Sequence, residues 1–306
     1  MSLTVSVIIC CYTEERLHDI KEAVSSLHRQ TRPAEEIILA VDNNSTLHES
    51  LKAELRGRVS VVLNDTARGL CATRNTGMAA ARGDLVAYLD DDAVAEPEWL
   101  ANLVSLFNDP MVVAAGGRAT LKWARGRPFW FPEDLDWTVG GSFTGLPLAR
   151  AEVRNPHGHN MCFRRTEALA VGGFGSRIGA VGEARRDGEE AELSLRLSAR
   201  YPNSVIIYEP EARILHKVPA GRSRWSYVIR RSYQQGVSKA LLERVAPAHN
   251  GRPLSTEGTY LRYLLFRAIP SRLRRFWRPA APAQTVAIVL CIAAVGIGYL
   301  VGRWRS

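Results

Sequence analysis

Three adjacent carboxylates, Asp90-Asp91-Asp92, end a short apolar run, Leu85-Val86-Ala87-Tyr88-Leu89. The run reads as a buried strand, so the charges fall at the C-terminal edge of a sheet, where open α/β folds hold their ligands. Like charges side by side repel and call for compensation. Oxygen ligands with this much negative charge suit Mg²⁺ or Mn²⁺, ions that keep several waters and share a substrate diphosphate. The competing reading is a solvated acidic turn ahead of the helix that Pro97-Glu98-Trp99 opens.

The elements that must position this corner surround it. Residues 4–11 (TVSVIICC) are β-branched and mostly apolar, as in a parallel strand buried on both faces. Leu17, Ile20, Ala23, Val24 and Leu27 then recur at helical spacing. Strands are predicted at 36–41 and 59–63 and helices at 48–55 and 69–82, with the strand at 85–89 following. This β-α-β-α-β order is that of a doubly wound, nucleotide-binding α/β half, with polar breaks at the strand ends. One such break is Asp42-Asn43-Asn44-Ser45. Further on come a helix at 99–107, a strand at 112–117 and an irregular aromatic stretch at 123–145. That stretch is long enough to be functional or to fold on a small core of its own. A strand at 155–165, a helix at 166–171 and a turn at 172–174 follow. A helix at 188–199 with an acidic first turn precedes two extended pieces, 205–208 and 212–216.

Composition excludes wholesale disorder: of 306 residues, 46% are hydrophobic and 23% charged. The net charge of +9 is unevenly placed. From Arg213 onward there are 17 Lys/Arg and two Asp/Glu, against 23 and 29 before it. An acidic body with a basic tail suggests a metal-dependent site in front and an anionic surface behind. Residues 222–244 and 259–277 read as basic helical stretches, the second amphipathic, of the kind that favours anionic membranes. Residues 285–301 carry no charge and span roughly 25 Å as a helix, enough to cross a bilayer core. Arg303, Trp304 and Arg305 follow as an interfacial anchor, and the Lys/Arg excess before the run predicts a body on the cytoplasmic side. A buried hairpin or an in-plane helix is the alternative for this run. The five cysteines form no CxxC pair, so reduced thiols are expected, with neither disulfide nor zinc site. Met1 leads almost at once into a strand, and no signal peptide is expected. The predicted division is a catalytic domain at 1–219, with halves at about 1–117 and 118–219, interface helices at 220–282, a membrane-spanning helix at 283–302 and a tail at 303–306.

Five motifs, in order, carry a resemblance. They are VSVIICCYTEE, Val41-Asp42-Asn43-Asn44-Ser45-Thr46, Arg74-Asn75-Thr76-Gly77, Leu89-Asp90-Asp91-Asp92, and Gly188-Glu189-Glu190-Ala191-Glu192-Leu193-Ser194-Leu195-Arg196. Over roughly residues 4–217 the chain resembles family-2 inverting glycosyltransferases of the GT-A fold, a Rossmann-like, mostly parallel sheet flanked by helices. It departs from their pattern at Asn43, where an acidic residue is common, and at Glu190, where Asp is usual. A narrower resemblance runs through residues 136–147 and 154–161, to transferases that extend sugars on polyprenyl or dolichyl phosphates, including glucuronosyltransferases acting on lipid-linked glucose.

The resemblance implies displacement at the anomeric carbon of a nucleotide sugar, a UDP-sugar with UDP-glucuronate among the candidates, with Mn²⁺ or Mg²⁺ neutralising the departing diphosphate. It implies Asp92 and His216 as metal ligands and Asp90 near the ribose or sugar, with Asp91 behind them. Tyr12, Glu14, Asp42 and Arg74 join Asp90 and Asp91 as donor contacts, Arg74 through Asp90 or the diphosphate unless it forms a structural salt bridge. Glu190 is the expected base, then Glu189, then Asp187, since a carboxylate must take the acceptor's proton. Trp137, His159 and Asn160 are expected on the acceptor side, and His157 with less support. The acceptor would be a lipid-linked glycan at an anionic membrane, with no nucleic-acid partner. Two other readings stay open at this point: a Mg²⁺-dependent phosphohydrolase or nucleotidyltransferase using the same carboxylates, and a non-enzymatic binder of anionic surfaces or nucleic acid.

Overall fold

The computed structural model describes residues 3–175, 187–245 and 254–304; Arg305 of the expected anchor lies outside them. The chain forms two compact units, one made of Met1–Ala119 and Pro147–His216, the other of Thr120–Leu146 and Lys217–Ser306.

The first unit is built on a sheet that begins as a doubly wound half. Strands β1 (Val5–Cys11), β2 (Glu36–Asp42) and β3 (Ser60–Asn64) alternate with helices α1 (Leu17–Leu27), α2 (Ser45–Glu54) and α3 (Leu70–Ala80) before β4 (Leu85–Leu89). All pairings among these four strands are parallel. The central strands are largely apolar because both faces are covered. Val5, Val7 and Ile9 of β1 pack in one layer with Ile20 of α1 and Leu47 of α2, and Ile8 packs in the opposite layer with Met78 of α3. The period of two along a strand makes this division inevitable.

Beyond β4 the chain lays down β5 (Ala93–Ala95), α4 (Trp99–Ser105), β6 (Val112–Trp123), β7 (Ala151–Glu152), β8 (Asn160–Arg164), α5 (Arg165–Ala170), α6 (Glu189–Arg200) and β9 (Val205–Val218). The strand order is β3-β2-β1-β4-β8-β6-β9-β5, with β7 on β9. The β4–β8, β6–β8 and β5–β9 pairings are antiparallel. Register then does positional work: His216 stands opposite Ala93, one residue past the carboxylate triplet.

Two extended elements run further than their sequence suggests. Residues 205–208 and 212–216 are expected as separate pieces, yet β9 is one strand of 14 residues. Pro210 has no N–H to lose, and the Glu209 carboxylate accepts a hydrogen bond from the Glu211 backbone N–H at 3.1 Å, so the chain passes the proline without breaking. β6 continues past Gly117 to Trp123, its exposed and covered side chains alternating beyond Arg118.

In the second unit the aromatic stretch contains a 3₁₀ helix, Glu133–Val139. Trp130, Phe131, Leu135 and Val139 join a core shared with Val228, Leu264 and Ile288. Helix α7 (Trp225–Val245) is followed by α8 (Ser255–Tyr263), a π turn at Leu264–Ala268, α9 (Ile269–Leu273) and α10 (Ala280–Trp304). The helical stretch expected over 259–277 is helical from Ser255 to Leu273, with a π turn inside it and Pro270 near the start of α9. Buried Asp134 ties this unit together, accepting from the Tyr263 hydroxyl at 2.8 Å and from Arg272. Helices α7 and α10 meet at their backbones. A Cβ on Gly236 would lie 2.7 Å from the Tyr299 N, and one on Gly302 would lie 2.9 Å from the Ala240 Cβ.

Gly117 tests the sheet that carries His216. A Cβ there would fall against the Ala212 carbonyl and 2.7 Å from the Asn160 Nδ2. Gly117→Ala should destabilise the first unit by about 1–3 kcal/mol, the usual cost of overpacking. Urea unfolding measures it; an unchanged midpoint would show that β9 relaxes freely.

Candidate metal and donor site

Asp90, Asp91 and Asp92 occupy the turn between β4 and β5, and their carboxylates divide between two cations. Asp91 accepts from the Arg16 guanidinium at 2.5 Å, and Arg16 also reaches Asp92 at 3.2 Å. On the other side the His216 Nε2 lies 3.2 Å from Asp92 and 3.7 Å from Asp90. One ligand atom each from Asp90, Asp92 and His216 lies within 4.8 Å of the others. Two carboxylates and an imidazole converging in this way make a fitting seat for Mn²⁺ or Mg²⁺. Asp90, expected at the ribose or sugar, thus stands among the groups that could hold the ion. Asp91 is turned to Arg16.

The electrostatics follow from burial. Burial opposes a charge on His216, but the hydrogen bonds and charges of Asp90 and Asp92 outweigh it and raise the imidazole to about 9. Burial raises the Asp91 carboxyl, Arg16 pulls it back and the flanking aspartates push it up again, leaving it at about 7. His159 sits beside His216 with ring centroids 5.5 Å apart, and stacks on His157 at 5.6 Å. Burial, then the charge of His216, push His159 down to about 3, so it is neutral and belongs to the wall of the site rather than to its charge balance.

Arg74 takes the structural salt bridge. Its guanidinium is buried, pairs with Glu189 at 2.7 Å and donates to the Gly158 carbonyl at 2.9 Å. Glu189 is buried with it. Glu190, next along, is half-buried, and its Oε2 is 3.7 Å from where a Gly158 side chain would begin. The bare backbone of Gly158 therefore leaves room between the Arg74 guanidinium and the Glu190 carboxylate. Gly188 opens α6 at φ +108°, a conformation that favours glycine and sets the direction in which Glu189 and Glu190 emerge. Asp187 is half-buried ahead of it.

At the nucleotide end of the sheet, Asp42 braces the next helix. Both its carboxylate oxygens accept from the Gly69 N–H at 3.1 Å, and Asn64 donates at 3.0 Å. Asn43 has φ +47°, which explains an amide at this position, since Asn enters the left-handed region more readily than most residues. Tyr12 is half exposed beneath the Arg16 guanidinium, 5.2 Å from its ring centroid, and Glu14 is exposed at the start of a short 3₁₀ turn. Asn160 is wholly buried. Its amide donates to the Ala212 and Arg118 carbonyls and accepts from the Trp99 indole at 2.8 Å, so it locks strands together. Trp137 lies in the second unit, half-buried, donating to the Tyr260 hydroxyl at 3.1 Å. Sequence reasoning missed Arg16 and Gly158. The triplet's need for a counter-charge was a signal for the first; nothing in the sequence marked the second.

A mixed α/β fold with this acidic corner defines the class, and the comparisons name it. The profile described as Glycosyl transferase family 2 matches residues 6–169, and the chain belongs to that family as a glycosyltransferase. It is 33% identical to the glucosyl-dolichyl phosphate glucuronosyltransferase of Haloferax volcanii, across 98% of this chain and 96% of that protein. It is 24% identical to the succinoglycan biosynthesis protein ExoM of Rhizobium meliloti, over 77% of this chain and 74% of that protein. Among solved structures it resembles the mannosyltransferase PcManGT of Pyrobaculum calidifontis, in complex with GDP-Man and Mn²⁺, with a TM-score of 0.63, 18% identity and coverage of 98% and 88%. That likeness establishes the GT-A fold.

Two outcomes test the site. Removing Arg74 alone leaves Glu189 buried without its partner; Arg74→Met should cost about 3–5 kcal/mol in urea unfolding, and adding Glu189→Gln should recover much of it. A divalent ion must displace the His216 proton, so Mn²⁺ affinity should climb with pH and level off above about 9. Titration calorimetry across that range checks this; a pH-independent affinity would remove His216 from the ligand set.

Proposed function

We propose that this glycosyltransferase is metal-dependent and inverting, and moves a sugar from a UDP-sugar, UDP-glucuronate foremost, to a polyprenyl-phosphate-linked glycan at the cytoplasmic face of a membrane. The observation that carries the reaction type is the convergence of Asp90, Asp92 and His216 at the end of β4. The donor and acceptor are supported by identity along nearly the whole chain to the Haloferax volcanii enzyme, whose name gives a glucuronosyl transfer to a dolichyl phosphate-linked glucose.

In this reading Asp90, Asp92 and His216 hold Mn²⁺ or Mg²⁺, which supplies charge neutralisation for a departing nucleoside diphosphate. Arg16 holds Asp91 aside and limits the negative charge of the corner. Tyr12 offers an exposed ring at the donor end, and Asp42 presents the carboxylate that also fixes the Gly69 turn. Glu190 is the base. The acceptor oxygen bonds to the anomeric carbon as the bond from that carbon to the phosphate oxygen breaks, and the hydroxyl proton passes to the Glu190 carboxylate. Attack from the face opposite the leaving group inverts the centre. Glu189 serves by holding Arg74, and through it Gly158. His159 and Trp137 are proposed on the acceptor side.

The decisive experiment incubates the purified chain with Mn²⁺, a panel of nucleotide sugars and polyprenyl-phosphate glucose, and reads the product by mass spectrometry. UDP-glucuronate should give a mass gain of one hexuronate; nucleotide-sugar hydrolysis without acceptor dependence would overturn the transferase assignment. Glu190→Gln should lower kcat by about 10²–10⁴-fold with donor affinity nearly unchanged. If Glu189→Gln does so while Glu190→Gln does not, the base is one residue earlier.

A further inference from the structure

The second unit carries two sets of exposed apolar side chains. On α10 they form a single stripe: Val286, Val289, Leu290, Ile297, Leu300 and Trp304 are all exposed and recur on one side of the helix. On α8, α9 and their flanks Leu265, Phe266, Leu273, Phe276 and Trp277 are exposed among the exposed arginines Arg262, Arg267, Arg274, Arg275 and Arg278. Apolar groups interleaved with arginine complement one partner, an anionic lipid leaflet. By length and composition α10 could instead cross the bilayer.

The packing of α7 decides between the two. It runs in the same direction as α10 and touches it along most of its length. Gly236 meets Val295 and Tyr299, Gly298 meets Tyr233, and Gly302 meets Val237 and Ala240. On the side of α10 away from the stripe, Ala287, Ile288, Cys291 and Ala294 are buried. Ser232, Gly236 and Ala240 on one helix and Ala294, Gly298 and Gly302 on the other are spaced by four, so backbone faces backbone. A perpendicular α10 would take α7 with it. Exposed Arg230 and its neighbour Arg231 would then lie within about 3 Å of the bilayer midplane, by the rise per residue. Intramembrane arginines are rare and costly, and these stand on a helix that also bears Gln234, Gln235 and Lys239.

We infer that α7 and α10 lie together in the plane of an anionic leaflet, the α10 stripe in the hydrocarbon and the α7 charges at the headgroups, so that both ends of α10 stay on the side of the catalytic unit. This deepens the membrane attachment proposed above and is independent of donor and acceptor.

The test uses the full chain with a protease-cleavable tag at each terminus, reconstituted into sealed phosphatidylcholine–phosphatidylglycerol vesicles. External protease should cut both tags to the same extent before detergent is added. An N-terminal tag cut while the C-terminal tag is protected until lysis would show a span and overturn the inference, leaving the attachment intact. A chain that fails to float with the vesicles would overturn both. Replacing phosphatidylglycerol with neutral lipid should weaken binding at least about tenfold, since arginines near the surface are drawn to anionic headgroups; unchanged binding would overturn the choice of an anionic leaflet.

Discussion

Three carboxylates at the end of one buried strand cannot all be charged and uncompensated, and much of the first unit answers that constraint. Two of the three are almost wholly buried. Arg16 arrives from the turn after β1, and His216 arrives from β9 on the far side of the sheet. The parallel half of the sheet fixes where the aspartates stand, and the antiparallel β5–β9 pairing fixes the imidazole opposite them. A divalent ion can complete this balance because its charge replaces that of the imidazole's proton.

A second buried charge is handled differently. Arg74 and Glu189 neutralise one another with little solvent, and their energetic value lies less in attraction than in the penalty for losing either partner. The pair links α3 to the start of α6 and reaches the backbone at Gly158. Glu190, the neighbouring residue, is half-buried, and it is the one proposed above as the base. Gly188 sets the direction of the helix from which both carboxylates emerge.

The parallel half was legible in the sequence because strands buried on both faces have to be apolar along their length, as 4–11, 36–41 and 85–89 are. The acidic corner and the acidic helix start were legible as residue types. What the sequence concealed were pairings between distant residues. Arg74 looked equally suited to Asp90 and to a structural partner, and only the fold selects Glu189. Asn160 looked like an acceptor contact, whereas its amide is committed to Trp99, Ala212 and Arg118. Residues 205–208 and 212–216 read as separate pieces, whereas the Glu209 carboxylate takes up the Glu211 N–H and the strand runs on past Pro210. The aromatic stretch showed no period, since its side chains face a core supplied by helices far along the chain.

At Gly236, Gly298 and Gly302 there is no side-chain layer between α7 and α10, and each glycine faces opposing main chain. A joint of that kind has no soft rotamers to absorb shear. The helices therefore resist swivelling or slipping individually, and a force applied to one is carried by both as by one stiff plank.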